Sequence, residues 1–220
     1  MATARTPLGA AGVPPEAIAQ VLTPRGLAGW NIRKDPLIAL DDSGTVPVPS
    51  HWSVVRDDPT TGAVKPLGVV GNRNEPIQNE QHLELVMEIA ETPDLDILDA
   101  GFVHDGRLVF IACRLDNDVV INPRELTPTP IAGPFELVTF NHHDGSGALW
   151  FGVMPAGTWQ SAILPLFAPD AVRPPSTQFV KRYALTRARL RHDASRRRIA
   201  GKLHHDLGLD HAGGGPLPLS

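Results

Sequence analysis

The sequence predicts an α+β domain, on three observations: short β-type segments punctuated by Pro and Gly, two Asp-Gly turns that fold neighbouring segments back on each other, and one convincing amphipathic helix among them. The architecture expected is a mostly antiparallel sheet with one principal helix, in the order ββαβββββ, followed by an irregular basic tail. Residues 1–29 read as a loosely ordered N-terminal segment, 30–155 as the α+β domain, and 156–220 as a Pro-rich linker and basic tail, partly disordered.

Residues 1–29 are small, rich in Pro and Gly and weakly patterned, with one short helix predicted over 16–22 behind the Pro14-Pro15 pair. From Trp30 onward the pattern changes to strands, over 52–55, 67–71, 97–103, 107–114, 119–121, 135–141 and 148–153. Each is rich in β-branched or aromatic residues and bounded by Gly, Pro, Asn or Asp. The helix lies between the second and third. Asn79 is placed to cap it, Glu80 falls in its first turn, and Leu83, Val86, Met87 and Ala90 recur at helical spacing until Pro93 stops it. His104-Asp105-Gly106 predicts a hairpin joining 97–103 to 107–114, because glycine accepts the positive φ such turns need. The stretch 142–147, His-His-Asp-Gly-Ser-Gly, predicts a second, returning 135–141 into 148–153. Residues 155–176 hold five prolines without strand-like alternation and read as a linker. Residues 178–207 read as a basic helix, and the last nine residues as disordered.

At 220 residues, 42% hydrophobic and 20% charged, the chain is long enough for one globular core. Cys113 is the only cysteine, which excludes an intrachain disulfide and a Cys-based zinc knuckle and suits a reducing compartment. No apolar run approaches the roughly 18 residues of a spanning helix, and the N-terminal one is broken by Pro14, Pro15 and Glu16. A cytoplasmic location away from membranes is expected. The net charge of −4 conceals a division: residues 1–160 carry 10 Lys and Arg against 20 Asp and Glu, while residues 161–220 carry 10 against 4.

Several groups invite a chemical reading. His142-His143-Asp144 is the densest set of potential ligands or acid–base groups. Adjacent strand residues point to opposite faces, however, and no partner stands at a helical i, i+4 interval, so a turn is expected rather than a metal site. Ser146 lies in neither a Gly-x-Ser-x-Gly elbow nor a strand-to-helix turn, which argues against a serine nucleophile. The run Leu67-Gly68-Val69-Val70-Gly71 lacks both phosphate-loop signatures and reads as a strand end, with Arg73 beyond it as a candidate anion contact. Cys113 is expected in the core. His204, His205, Asp206, Asp210 and His211 read as incidental composition. The basic tract is different in kind: residues 173–202 hold ten Lys and Arg against the single acid Asp193. Such density attracts phosphate backbones through counterion release. Lys181, Arg182, Arg187, Arg189, Arg191, Arg196, Arg197 and Arg198 are therefore the candidate nucleic-acid contacts. Phe179 and Tyr183 are the tract's only aromatics, so little stacking accompanies them.

Taken in order, Trp30 to Leu37, Val54-Val55-Arg56, Leu67 to Arg73 with Pro76-Ile77-Gln78-Asn79, Ala100-Gly101 with Asp105 to Ala112, and Phe140 to Ala148 resemble the phage/plasmid-like family known as domain of unknown function 932. The likeness spans roughly residues 27–155. Its most specific parts are the strand–turn–Pro-x-Gln-Asn–helix unit and the Asn-x-His-Asp-Gly-Ser hairpin. It implies a gene carried on a mobile element and brings no established activity. Asn74 stands where the family usually has an aromatic, and after Pro155 the chain reads Ala156-Gly157-Thr158-Trp159 where the family continues into a further strand. That break is the expected mark of a rearranged or out-of-frame C-terminal part. The function expected is a non-enzymatic accessory in DNA metabolism, binding or annealing single-stranded DNA, with no cofactor. The alternatives are a small metal-dependent enzyme using the His142-His143-Asp144 hairpin and a protein-interaction module.

Overall fold

A computed structural model describes residues 13–42, 44–90, 95–115, 119–121, 131–132, 134–147, 149–164, 181–185 and 210–211. The chain starts with α1 (Pro15–Leu22). A hairpin follows, of β1 (Arg33–Asp41) and the long β2 (Gly44–Asp57), and then β3 (Val64–Gly71) and α2 (Asn79–Ile89). Next come β4 (Asp96–Val103), β5 (Leu108–Arg114), β6 (Val119–Ile121), β7 (Ile131–Ala132), β8 (Phe135–His142) and β9 (Leu149–Pro155). The last described elements are α3 (Trp159–Ile163), β10 (Lys181–Leu185) and β11 (Asp210–His211). The fold is α+β and the described strand pairs are antiparallel, as expected. They form three sheets rather than one: β1-β2-β3, β10-β9-β8-β5-β4 and β11-β6-β7.

Strand β5 is an almost unbroken apolar run and β8 is buried along its whole length, because both faces of the five-stranded sheet are covered. On one face Val109, Ile111, Cys113, Leu137, Phe151 and Val153 join the main core with Leu83, Val86 and Met87 of α2 and with Val54, Leu67 and Val70 of the three-stranded sheet. The opposite face carries a smaller core of Leu108, Phe110, Ala112, Val138, Phe140 and Met154, closed by Ile163 of α3. Both expected hairpins form. Phe102 pairs with Val109 across the first, where His104 and Asp105 both adopt positive φ, and Phe140 pairs with Trp150 across the second.

Four expectations are corrected. The entry segment is not loose over its described part: α1 packs on α2, and Leu22, Leu27 and Trp30 are buried in the main core, because Ala17, Ile18, Val21 and Leu22 give this short helix an apolar face. Strand β1 was not among those foreseen, since Arg33-Lys34-Asp35-Pro36 carries little strand propensity; pairing with β2 imposes the conformation, with a bulge between Pro36 and Ile38. The first residues assigned to the linker are ordered against the body as α3. Finally, 181–185 is strand where a helix was expected, since the outer edge of β9 offers its backbone groups to Lys181–Leu185, in register from Lys181 with Val153 to Leu185 with Leu149. The expectations for residues 1–12 and for the last nine residues lie outside the described residues.

Candidate functional site

The two motifs that carried the resemblance meet in space. Gln78, not Asn79, precedes the first turn of α2, and Gln81 Oε1 accepts the Gln78 backbone N–H at 3.0 Å in the manner of a capping box. Three consecutive side chains then hold the segment entering β1. The Gln78 amide bonds both ways with the backbone of Ile32, donating to its carbonyl at 2.6 Å and accepting its N–H at 2.8 Å. Asn79 Nδ2 donates to Leu27 O at 2.8 Å, and Glu80 Oε1 accepts the Gly29 N–H at 3.0 Å. The Pro-x-Gln-Asn sequence is therefore a clamp between α2 and the 27–32 segment.

The β8–β9 hairpin docks on the same helix terminus. Because Asn79 gives its amide hydrogens to Leu27, its Oδ1 is an acceptor, so His143 Nε2, 3.0 Å away, carries the proton and donates. The His143 backbone N–H bonds Arg107 O at 2.7 Å and Asn141 Nδ2 donates to Ile77 O at 3.3 Å. In the loop, Asp144 Oδ1 accepts the Ser146 N–H at 2.8 Å and Ser146 Oγ lies 3.2 Å from His142 Nδ1. The loop presses on β3 so closely that a Cβ on Gly68 would sit 2.5 Å from Asp144 O. Asn79, Asn141, His142 and His143 are all buried. His143 and Asn141 tie the hairpin to α2 and to Ile77, and His142 meets Ser146 within the turn. Among the described residues no group of three or more His, Cys, Asp or Glu side chains is arranged to hold a metal ion.

Two further polar groups lie inside the sheet. His82 of α2 is fully buried with Nε2 at 2.8 Å from Thr139 Oγ1, and Thr139 in turn donates to Ile111 O at 3.3 Å. Burial pushes the His82 imidazole down to about 3. Glu136 of β8 is buried with its carboxylate at the start of α3, accepting N–H bonds from Gly157 at 2.7 Å, Thr158 at 3.2 Å and Trp159 at 3.0 Å.

Of the expected nucleic-acid contacts, Lys181 and Arg182 begin β10, the edge strand of the five-stranded sheet. Arg187, Arg189, Arg191, Arg196, Arg197 and Arg198 lie outside the described residues. Arg73 is exposed on the turn after β3, next to Asn72, whose carbonyl accepts from Lys34 Nζ at 3.0 Å.

A group that sequence reading missed sits at the base of β2. Arg56 is only 5% exposed, its guanidinium carbon 4.0 Å from the Trp30 ring centroid and 5.7 Å from that of Phe102, and Trp30 and Phe102 meet edge-on at 5.3 Å. Arg56 Nε is buried without a hydrogen-bond acceptor. Three residues from three separate segments make this group, and no local spacing could have shown it.

No helix among the described residues is long and apolar enough to cross a membrane. No curated protein and no solved structure matches the chain. The likeness read from residues 27–155 is matched by a family model over its later part: residues 66–156, from β3 through the clamp and the β8–β9 hairpin, are a match to the family described as Domain of unknown function (DUF932).

Proposed function

We propose that this protein is a non-enzymatic accessory of a mobile genetic element that binds single-stranded DNA. The observation that carries the reading is the concentration of ten basic residues against one acid in residues 173–202, beside a body in which acids outnumber bases two to one. Within that tract Lys181 and Arg182 lie in strand β10, at the edge of the five-stranded sheet. The mobile-element origin is what the family resemblance implies. Against an enzyme built on the His142-His143-Asp144 hairpin stands the engagement of those side chains in the clamp and the turn.

The test is titration of the full-length chain with one oligonucleotide at four salt concentrations, repeated with a second of unrelated sequence. With five or six phosphates neutralised, the slope of log K against log salt on single strands is expected to be about −4, at roughly −0.7 per contact. Equal affinity for the two sequences is expected. No binding at low salt overturns the reading.

A second reading, a protein-interaction module, draws on the β1–β2 arm. Residues 37–50 run beyond β3, and Ile38, Val46 and Leu40 are exposed there, Leu40 to 83%. Recovery of a protein partner lost on Leu40→Asp, with no nucleic acid retained, would favour it.

A further inference from the structure

We infer that Arg56 is the seat for a phosphodiester of a single strand, with the neighbouring base stacked on Phe102. The inference rests on the single-strand reading and adds to it a contact in the folded body, separate from the basic tract.

The guanidinium is the observation that demands a ligand. Arg56 offers five N–H donors, and among the described residues no hydrogen bond or ion pair takes any of them. The guanidinium carbon lies 4.0 Å from the Trp30 ring centroid and 5.7 Å from that of Phe102, so the cation is held against aromatic rings, which accept none of its N–H hydrogens as a hydrogen-bonding oxygen would. The nearest carboxylates act on it only through space. Asp58 is committed to Lys65 Nζ at 2.6 Å and to the N–H groups of Thr60 and Thr61, and Asp105 stands on the exposed turn. Burial lowers the Arg56 pKa from its usual value, the expected consequence of a cation held away from water without a bonded anion. A buried charge without such a partner is costly to maintain. The two non-bridging oxygens of a phosphodiester match the guanidinium fork.

The surroundings specify more than an anion. Phe102 is 40% exposed although it touches Trp30, and its ring centroid lies 5.7 Å from the cation. An exposed aromatic next to an arginine is the pairing by which single strands are held, the base on the ring and the phosphate on the guanidinium. His104 adds a second polar group: its Nε2 is buried without a partner on the turn where His104 and Asp105 take φ of 51° and 57° in succession. The same turn borders the cation on one side, since a Cβ on Gly106 would sit 2.9 Å from Arg56 Nε. The negative field of Asp58 and Asp105 favours the single charge of an internal diester over the double charge of a terminal phosphate.

The experiment uses the full-length chain and a thymidine oligomer carrying 5-iodouracil, with thymidine monophosphate and inorganic phosphate as separate competitors. Photocrosslinking is expected to label Phe102 or the 104–107 turn. The variant Phe102→Ala, at an exposed position, is expected to weaken oligomer binding roughly tenfold, in keeping with loss of one stacked base, while leaving the salt slope unchanged. Arg56→Lys, which keeps the charge and loses the fork, is expected to weaken it comparably, and neither monophosphate nor phosphate is expected to compete at concentrations where an unlabelled oligomer does. Crosslinks confined to residues 173–202, with unchanged affinity in Phe102→Ala, overturn the inference and leave the single-strand reading standing. Competition by inorganic phosphate alone overturns the assignment to a strand. Absence of oligomer binding at low salt overturns both.

Discussion

A single imidazole shows how sharply burial constrains chemistry at the scale of one residue. Thr139 Oγ1 gives its hydrogen to Ile111 O, so His82 Nε2 must be the donor to Thr139, and His82 Nδ1 is left as a bare lone pair in the core without a partner. That neutral tautomer leaves no donor unpaired, whereas a proton on Nδ1 would create a buried cation with nowhere to bond. In the unfolded chain the same ring takes its proton near its ordinary value of 6.5, but in the folded chain it resists until about 3. Between those values the unfolded state binds more protons, so stability is complete above about pH 6.5 and falls as the pH drops, by at most about 1.4 kcal/mol per pH unit for one proton. The prediction is that His82→Gln, which keeps a donor toward Thr139 and cannot titrate, flattens the stability profile between pH 6.5 and 4.5 relative to the parent. Denaturant midpoints at half-unit intervals measure it, and parallel profiles for the two chains would refute it. In the sequence nothing sets His82 apart from the other polar residues of α2. Its partner is 57 residues away on β8, which no local pattern reveals.

Among the elements, short α3 shows how one buried carboxylate fixes a segment with little helical preference of its own. Its first N–H groups have no partners within the helix, and those of Gly157, Thr158 and Trp159 converge on Glu136, while Ile163 closes the smaller core. Replacing Glu136 with alanine leaves three N–H donors without their acceptor, at a cost of about 2–4 kcal/mol. Chemical denaturation would measure that loss, and limited proteolysis should show earlier cleavage within residues 156–164; an unchanged midpoint with unchanged cleavage would show the cap to be incidental. The expectation of a linker from 156 onward failed here because proline density is a local signal, and the partner that orders these residues lies 21 to 23 positions upstream. What the sequence made legible was local in the same sense. Asp105-Gly106 and Asp144-Gly145 dictate their turns through backbone conformation, and Leu83, Val86 and Met87 mark the buried face of α2 by spacing. The bonds from Gln78, Asn79 and Glu80 to residues 27–32 bridge 46 to 52 positions. The motif was visible, but not the physical reason for it.

Across the whole molecule the governing feature is the division of charge, which a net value of −4 hides. An acidic body repels a polyanion, so under the proposed single-strand function the basic tract draws a strand in before any contact in the body forms. Binding through the tract has to run mainly through phosphates, because Phe179 and Tyr183 are its only aromatics and few amide side chains accompany its ten cations to read base edges. On that reading the tract dominates the salt dependence, the Arg56 contact adds one phosphate to it, and stacking on Phe102 contributes the part of affinity that salt does not touch. If the tract binds phosphates as proposed, replacing Arg196, Arg197 and Arg198 together with alanine should make the slope of log K against log salt shallower by about 2 on single strands. The loss of affinity should be uniform across sequences, and it should be largest at low salt and shrink as salt rises. Phe102→Ala, by contrast, should lower affinity by the same factor at every salt concentration. Combining the two sets of substitutions should give additive losses, since they act on different parts of the strand. Four salt concentrations and four proteins suffice to measure this, and a triple-arginine variant with the parental slope would show that the tract does not touch the phosphates at all.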